Sequence, residues 1–156
     1  MPALQDLYPD DYSHCYGCGR LNAHGLHVHS DWLGDEAVAR FLPAPYQLAM
    51  PGYVYGGLIA SLVDCHAMAT AAAASMAAAG RQPGRDQTPR FVTASLQVDY
   101  LRPTPIGVEL EIRGRATTVA ERKVIVEATV TAADVQCARG RVVAVPIPAH
   151  MLARAD

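Results

Sequence analysis

PGYVYGGLIASLVDCHAMATAAAASMAAAG, residues 51–80, decides the fold of this chain. Pro51, Gly52, Gly56 and Gly57 break regular structure at its start, and from Leu58 to Ala79 there is neither proline nor glycine. Alanine, the best helix former, dominates that run. The pattern predicts one helix beginning near Gly57 and about 33 Å long, the width of a small domain. It is apolar on nearly all sides, so it belongs in a protein core or in a membrane. Asp64 and His66 inside the run, the weak hydrophobicity of alanine and the lack of flanking Lys or Arg clusters favour the core. Asp64 then needs a reason to be there, because a carboxylate on a mostly buried helix is costly unless it is paired, hydrogen-bonded or functional.

The 156 residues are read as one domain, 1–156, large enough to bury a core without disulfide staples. A net charge of −2 and a pI near 6.3, with Lys almost absent, leave no basic footprint for nucleic acid. Met1 to Asp11 has neither a basic start nor an apolar stretch, so a cytoplasmic location and no membrane association are expected, with the four cysteines reduced.

Residues 1–25 read as a turn-rich N-terminal loop carrying Cys15-x-x-Cys18, followed by His24, His27 and His29. Zinc is the tempting ligand, and Cys65 or Cys137 is available to join in three dimensions. A second CxxC, or a His pair after a finger-length spacer, is nevertheless missing. No strand immediately precedes the CxxC and no helical pattern follows it, which argues against a redox motif. A structural knuckle with no metal is the expectation, and no cofactor is expected elsewhere.

Strands flank the helix. Leu26, Val28 and the residues to Trp32 predict a first strand, Gly34-Asp35 a turn, and Ala37 to Leu42 its hairpin partner. Gly80 to Pro89 is a polar connection, expected to be exposed and mobile, with a glycine C-cap. Apolar residues then alternate at Val92, Ala94, Leu96, Val98 and Tyr100, at Val108, Leu110 and Ile112, and at Val124, Val126, Ala128 and Val130, with a fourth strand over Arg139 to Val145. The tail through Asp156 is expected to fray. Two strands, one long helix and four further strands make an α+β layer arrangement, in which the helix is the one large apolar object the sheet can cover. An antiparallel sheet wrapped around one central helix is the hotdog fold.

The turn before the helix offers chemistry. Backbone N–H groups at Gly56 and Gly57 lie at a helix start, where the dipole is positive and amides lack internal partners. They are suited to an oxygen that gains negative charge during acyl transfer. Asp64 lies two turns further on, about 10 Å away, too far to serve a carbonyl held at its own glycine turn, so a second subunit must supply it. Cys65 and His66 are no nucleophile pair, since adjacent helix residues point about 100° apart. His66 reads as a satisfied helix histidine.

Gly52-Tyr-Val-Tyr-Gly-Gly-Leu-Ile-Ala-Ser-Leu-Val-Asp64 resembles the HGG-x-x-A-x-L-x-D signature of hotdog-fold acyl-CoA thioesterases of the PaaI-like type. Cys15-Tyr-Gly-Cys-Gly-x-x-Asn22-x-x-Gly25-Leu26 is similar to the CxxCGxxNxxGL run of one branch of that family, and Tyr100-Leu-Arg-Pro103-x-x-x-Gly107 to its YLRP-x-x-x-G segment. The resemblance implies hydrolysis of a small, medium-chain or aromatic acyl-CoA by a homodimer or homotetramer whose sites are shared between subunits. It implies Asp64 as general base or nucleophile, Gly56 and Gly57 as oxyanion donors, and Thr93 as the hydroxyl that holds the water or the carboxylate. Tyr55, Gln47 and Val54, on the approach to the turn, are the expected substrate contacts. This sequence has Tyr55 where the signature has His, Ala49 where relatives often have Asn or Gln, and Cys65 where some have Glu. A hotdog protein that binds an acyl ligand without turnover is the alternative.

Overall fold

The computed structural model describes residues 1–152. Strands β1 (Ser30–Trp32) and β2 (Ala37–Phe41) precede the helix α1 (Gly56–Ala78); β3 (Phe91–Tyr100), β4 (Leu110–Val119), β5 (Val124–Ala132) and β6 (Val135–Pro146) follow it, and a short turn of helix, α2 (Ala149–Leu152), comes last. The six strands form one antiparallel sheet in the order β1-β2-β4-β5-β6-β3, with α1 packed along one face. This is the hotdog fold.

Helix α1 forms where alanine propensity and the absence of breakers predict it, one residue earlier than the predicted start. It ends in a Schellman-type cap, in which Arg81 N–H donates to the Met76 carbonyl at 2.9 Å and Gly80 N–H to that of Ala77 at 3.1 Å, with Gly80 at a φ of +72°. By length and composition α1 is apolar enough to cross a membrane, yet it is the core helix of the sheet, buried from Leu62 to Ala74 except at Asp64. Leu110 and Ile112 of β4, Val124, Val126 and Val130 of β5, and Ala138, Val142 and Ala144 of β6 bury the sheet side of the contact. Small residues set the spacing. A Cβ on Gly140 would fall 2.4 Å from Val63, and one on Gly114 would fall 2.6 Å from the Thr70 hydroxyl, so at both points the sheet backbone reaches the helix only because glycine is there.

His66 is fully buried, and its ring is satisfied at both nitrogens. Nε2 donates to the Ala37 carbonyl at 3.1 Å, which leaves Nδ1 to accept from the Ser30 hydroxyl at 2.8 Å. Gln5 closes the network: its Nε2 donates to Ser30 Oγ at 2.9 Å, and its Oε1 accepts from Ser30 N–H at 2.8 Å. Burial pushes the His66 pKa down to about 4, so the ring is neutral near pH 7. The N-terminal segment is consequently more than a loop. It contains 3-10 turns at Leu4–Leu7 and Asp10–Tyr12, and Leu4, Gln5 and Tyr8 are part of the interior.

Several predicted boundaries move. Leu26 and Val28 do not extend β1; their N–H groups bond the Tyr16 and Gly17 carbonyls of the cysteine loop, and His27 between them has a φ of 53°, which breaks the extended chain. The strand predicted from Val108 begins at Leu110. The last strand begins at Val135 rather than Arg139, because Ala133 and Asp134, both at positive φ, form a tight hairpin turn that carries no glycine to announce it. The connection over residues 80–89 is exposed along most of its length but pinned at Thr88, which is buried and donates its N–H to the Leu7 carbonyl. In the tail predicted to fray, residues 149–152 are helical, and residues 153–156 lie outside the described residues.

Candidate active site

The chain reaches α1 through a tight turn. Val54 N–H donates to the Thr104 carbonyl and Ile106 N–H bonds the Gly52 carbonyl, so residues 52–54 are strapped to the segment after β3, while Tyr55 N–H donates to the Gln47 carbonyl on the approach to the turn. Tyr55 is the N-cap of α1 and supplies no side-chain cap, and among the described residues no acceptor takes the N–H of Gly56 or Gly57. Two free amides at the positive end of a 23-residue helix are therefore available to an anion or a polarised carbonyl.

Two tyrosines frame that turn. Tyr100, at the end of β3, donates its hydroxyl to the Gly56 carbonyl at 2.7 Å. The ring of Tyr55 lies against Gly57, where a Cβ would fall 2.5 Å from the ring edge. Burial, reinforced by the neighbouring Tyr55, raises the pKa of Tyr100 above the ordinary phenol range. On one side of the turn a cleft of about 360 Å³ is lined by Val54, Gly56, Ile59, Tyr100 and Thr104. On the other, a cleft of about 310 Å³ is lined by Tyr16, Tyr46, Gln47, Tyr55, Gly57 and Ser61.

Asp64 belongs to a different part of the same helix. Gly56, Gly57, Ala60, Ser61 and Asp64 are partly exposed on a helix whose remaining positions as far as Ala74 are buried, which gives one stripe at helical spacing that the sheet leaves open. Asp64 Oδ1 accepts a hydrogen bond of 2.5 Å from Thr93 Oγ1. A register shift between Thr93 and Ser95 interrupts the pairing of β3 with β6, and such a bulge re-aims the side chains next to it.

The fold thus brings Asp64 to Thr93, and it brings Tyr55, Gln47 and Gly57 to one cleft and Val54 and Gly56 to the other. Asp64 and Thr93 line neither cleft. Gln47 uses its side-chain oxygen within its own turn, accepting from Ala44 N–H at 2.7 Å, and its backbone carbonyl accepts from Tyr55 N–H. Sequence reasoning missed Tyr16, Tyr46 and Ser61, which carry no spacing signal and are gathered only when the cysteine loop and the segment before α1 pack together. It had Tyr100 as part of a motif but not as a partner of Gly56. Cys15, Cys18 and Cys65, the last being the residue after Asp64, converge with their sulfurs within 4.8 Å of one another.

Comparison with known proteins fits this geometry. Residues 51–138, from the turn before α1 into β6, match the family model described as the thioesterase superfamily. The chain is similar to a thioesterase superfamily protein of Shewanella loihica PV-4, at 47% identity over 89% of this chain and 98% of that one, with a TM-score of 0.68. A protein of Streptococcus mutans UA159 bound to acetyl CoA shares the fold at 18% identity, with a TM-score of 0.61 over 81% of this chain and 95% of that one. Acyl-coenzyme A thioesterase THEM4 of Xenopus laevis is 31% identical over 97 residues, which is 62% of this chain and 38% of that protein. The chain therefore spans well under half the length of that curated relative. With the family match covering more than half of its residues and the hotdog sheet around α1, the chain belongs to the thioesterase superfamily.

Proposed function

We propose that this chain is an acyl-CoA thioesterase acting on a small, medium-chain or aromatic acyl group, with each site assembled from two subunits. The observation that carries the proposal is the open stripe of α1, with free N–H groups at Gly56 and Gly57 at one end and the Thr93-bonded Asp64 at the other. The two ends are about 10–12 Å apart along the helix, so one carbonyl cannot meet both in one subunit. A second copy laid against the stripe brings its own glycine turn to Asp64.

In the proposed reaction the thioester oxygen lies against the amides of one subunit's Gly56 and Gly57. Asp64 of the other subunit takes a proton from water, the water oxygen bonds to the carbonyl carbon, and the negative charge moves to the carbonyl oxygen. Collapse of that intermediate breaks the C–S bond and releases the thiolate and the carboxylic acid. Thr93, by donating to Oδ1, turns Oδ2 toward the water. The clefts on either side of the turn, lined by Tyr55, Gln47 and Val54 among others, are assigned to the thioester substrate.

The ring of Tyr55 over Gly57 favours a second reading, in which the cleft holds an acyl ligand without turning it over. Release of free thiol from a panel of acyl-CoAs separates the two. Turnover of any member above the rate without protein supports the esterase. Saturable binding of an acyl-CoA with no thiol release supports the binding protein.

A further inference from the structure

Sequence spacing leaves the Cys15-x-x-Cys18 pair without further ligands, but the fold supplies one from fifty residues away. Cys65, on α1, brings its sulfur to 3.8 Å from that of Cys15, and the sulfurs of Cys15, Cys18 and Cys65 all lie within 4.8 Å of one another. Cys18 and Cys65 are buried and Cys15 is half-buried. Three sulfurs around one tetrahedral zinc ion, at ~2.3 Å each, stand about 3.8 Å apart. The contact between Cys15 and Cys65 already has that separation.

The loop is built to hold the sulfurs there. A Cβ on Gly17 would fall 2.1 Å from the Cys65 sulfur, so the turn between the two loop cysteines can lie on α1 only as glycine. Gly19 N–H bonds the Cys15 carbonyl at 2.7 Å, and Leu26 and Val28 tie the Tyr16 and Gly17 carbonyls from the other side. Arg90, half-buried and stacked over the Tyr8 ring at 5.0 Å, is a cation whose charge acts on Cys15 and Cys18, and its Nη1 has no hydrogen-bond partner. Three thiolates around a divalent ion carry a net charge of −1, which Arg90 offsets.

We infer that Cys15, Cys18 and Cys65 form a three-thiolate site for a soft divalent d10 cation, of which zinc is the representative. Thiolate donors select such ions over hard ones. Binding would displace the thiol protons to solvent and leave a fourth coordination position for water. The ion would tie the N-terminal loop to α1 at the residue after Asp64. No histidine belongs to the cluster among the described residues.

The test uses the full chain, reduced and freed of metal by chelator, then titrated with Co²⁺ alone. The expected result is a thiolate-to-cobalt absorption band that saturates at one equivalent per chain and is bleached by Zn²⁺. Cys65→Ala, which suits the helix, is expected to abolish the band, and Cys137→Ser to keep it. Alkylation of the wild-type protein, read by mass spectrometry, keeps the test independent of how the variants fold. Zn²⁺ is expected to slow labelling of Cys15, Cys18 and Cys65 at least tenfold and to leave Cys137 unchanged. No thiolate band at stoichiometric Co²⁺, a band that survives Cys65→Ala, or labelling indifferent to Zn²⁺ would overturn the assignment.

Discussion

Thr93 Oγ1 donates to Asp64 Oδ1 at 2.5 Å, a hydrogen bond between the edge strand β3 and the only partly exposed carboxylate of α1. A carboxylate whose one oxygen is held this way keeps the other free and oriented. Neither oxygen is bonded to a main-chain N–H among the described residues, so the carboxylate caps no backbone there, and in the proposed mechanism its second oxygen faces the water.

Asp64→Asn should therefore abolish thioester hydrolysis while leaving the fold intact. Asn preserves shape and can still accept from Thr93, but it cannot take a proton. A general base is worth roughly 10²–10⁴-fold, so kcat on the best acyl-CoA should fall by at least that factor with the melting temperature nearly unchanged. A fall in melting temperature with full activity per folded molecule would make Asp64 structural.

Thr93→Ala should have a smaller effect of a different kind. Losing one donor to an exposed carboxylate costs about 1.4 kcal/mol, or roughly tenfold in kcat, with little change in KM. Thr93→Ser should restore most of the loss, because the hydroxyl is retained. Equal damage by both substitutions would show that Thr93 packs rather than orients.

The sheet and helix were legible because their signals are periodic: breaker-free alanine over 58–79 and period-2 apolar rows in β3 to β5. What escaped was set by contacts distant in sequence. The pairing of Leu26 and Val28 with Tyr16 and Gly17 competes with strand extension, and nothing local marks it. The turn at Ala133-Asp134 has positive φ without glycine, so its chemistry is invisible in composition. In the site, Gly56, Gly57 and Asp64 stand out because two glycines and a charge violate the helical pattern. Tyr16 and Cys65 look like ordinary residues until the N-terminal loop folds back onto α1.

The Gln5–Ser30–His66 network predicts a stability defect remote from the site. Ser30→Ala removes the donor to His66 Nδ1 and a partner of Gln5 Nε2, leaving two buried polar atoms unsatisfied. The cost should be about 1–3 kcal/mol, lowering the melting temperature by several degrees in thermal unfolding while kcat of the folded protein is unchanged. A melting temperature equal to wild type would mean that water replaces the hydroxyl without loss.

Tyr55 supplies a wall over Gly57 that the family signature assigns to His. Tyr55→Ala removes the ring and opens the approach to the Gly57 amide, so acyl-CoA binding should weaken about tenfold in KM, by loss of one aromatic contact. Tyr55→Phe should behave as wild type if the ring alone matters. A rise in kcat for Tyr55→Ala, with KM constant, would instead identify the ring as an obstruction over the oxyanion donors.

The shared site makes the sharpest prediction, because it can be tested by mixing two inactive proteins. Gly56→Pro removes an amide that the first turn of α1 does not use for itself, at the first helical position, where proline is tolerated and Tyr55 before it is already extended, and so eliminates an oxyanion donor. Asp64→Asn eliminates the base. Each variant alone should be inactive yet, by light scattering, should retain the dimeric or tetrameric state of the wild type. When the two are unfolded and refolded together, random pairing makes about half of the dimers hybrids, and each hybrid contains one site with Asp64 from one subunit and Gly56 from the other. The mixture should then recover about a quarter of wild-type turnover. If Asp64 acts on a carbonyl held by its own glycine turn, no hybrid has an intact site. The refolded mixture would then be no more active than its parents, and a wild-type protein that light scattering shows to be monomeric would exclude the shared site by itself.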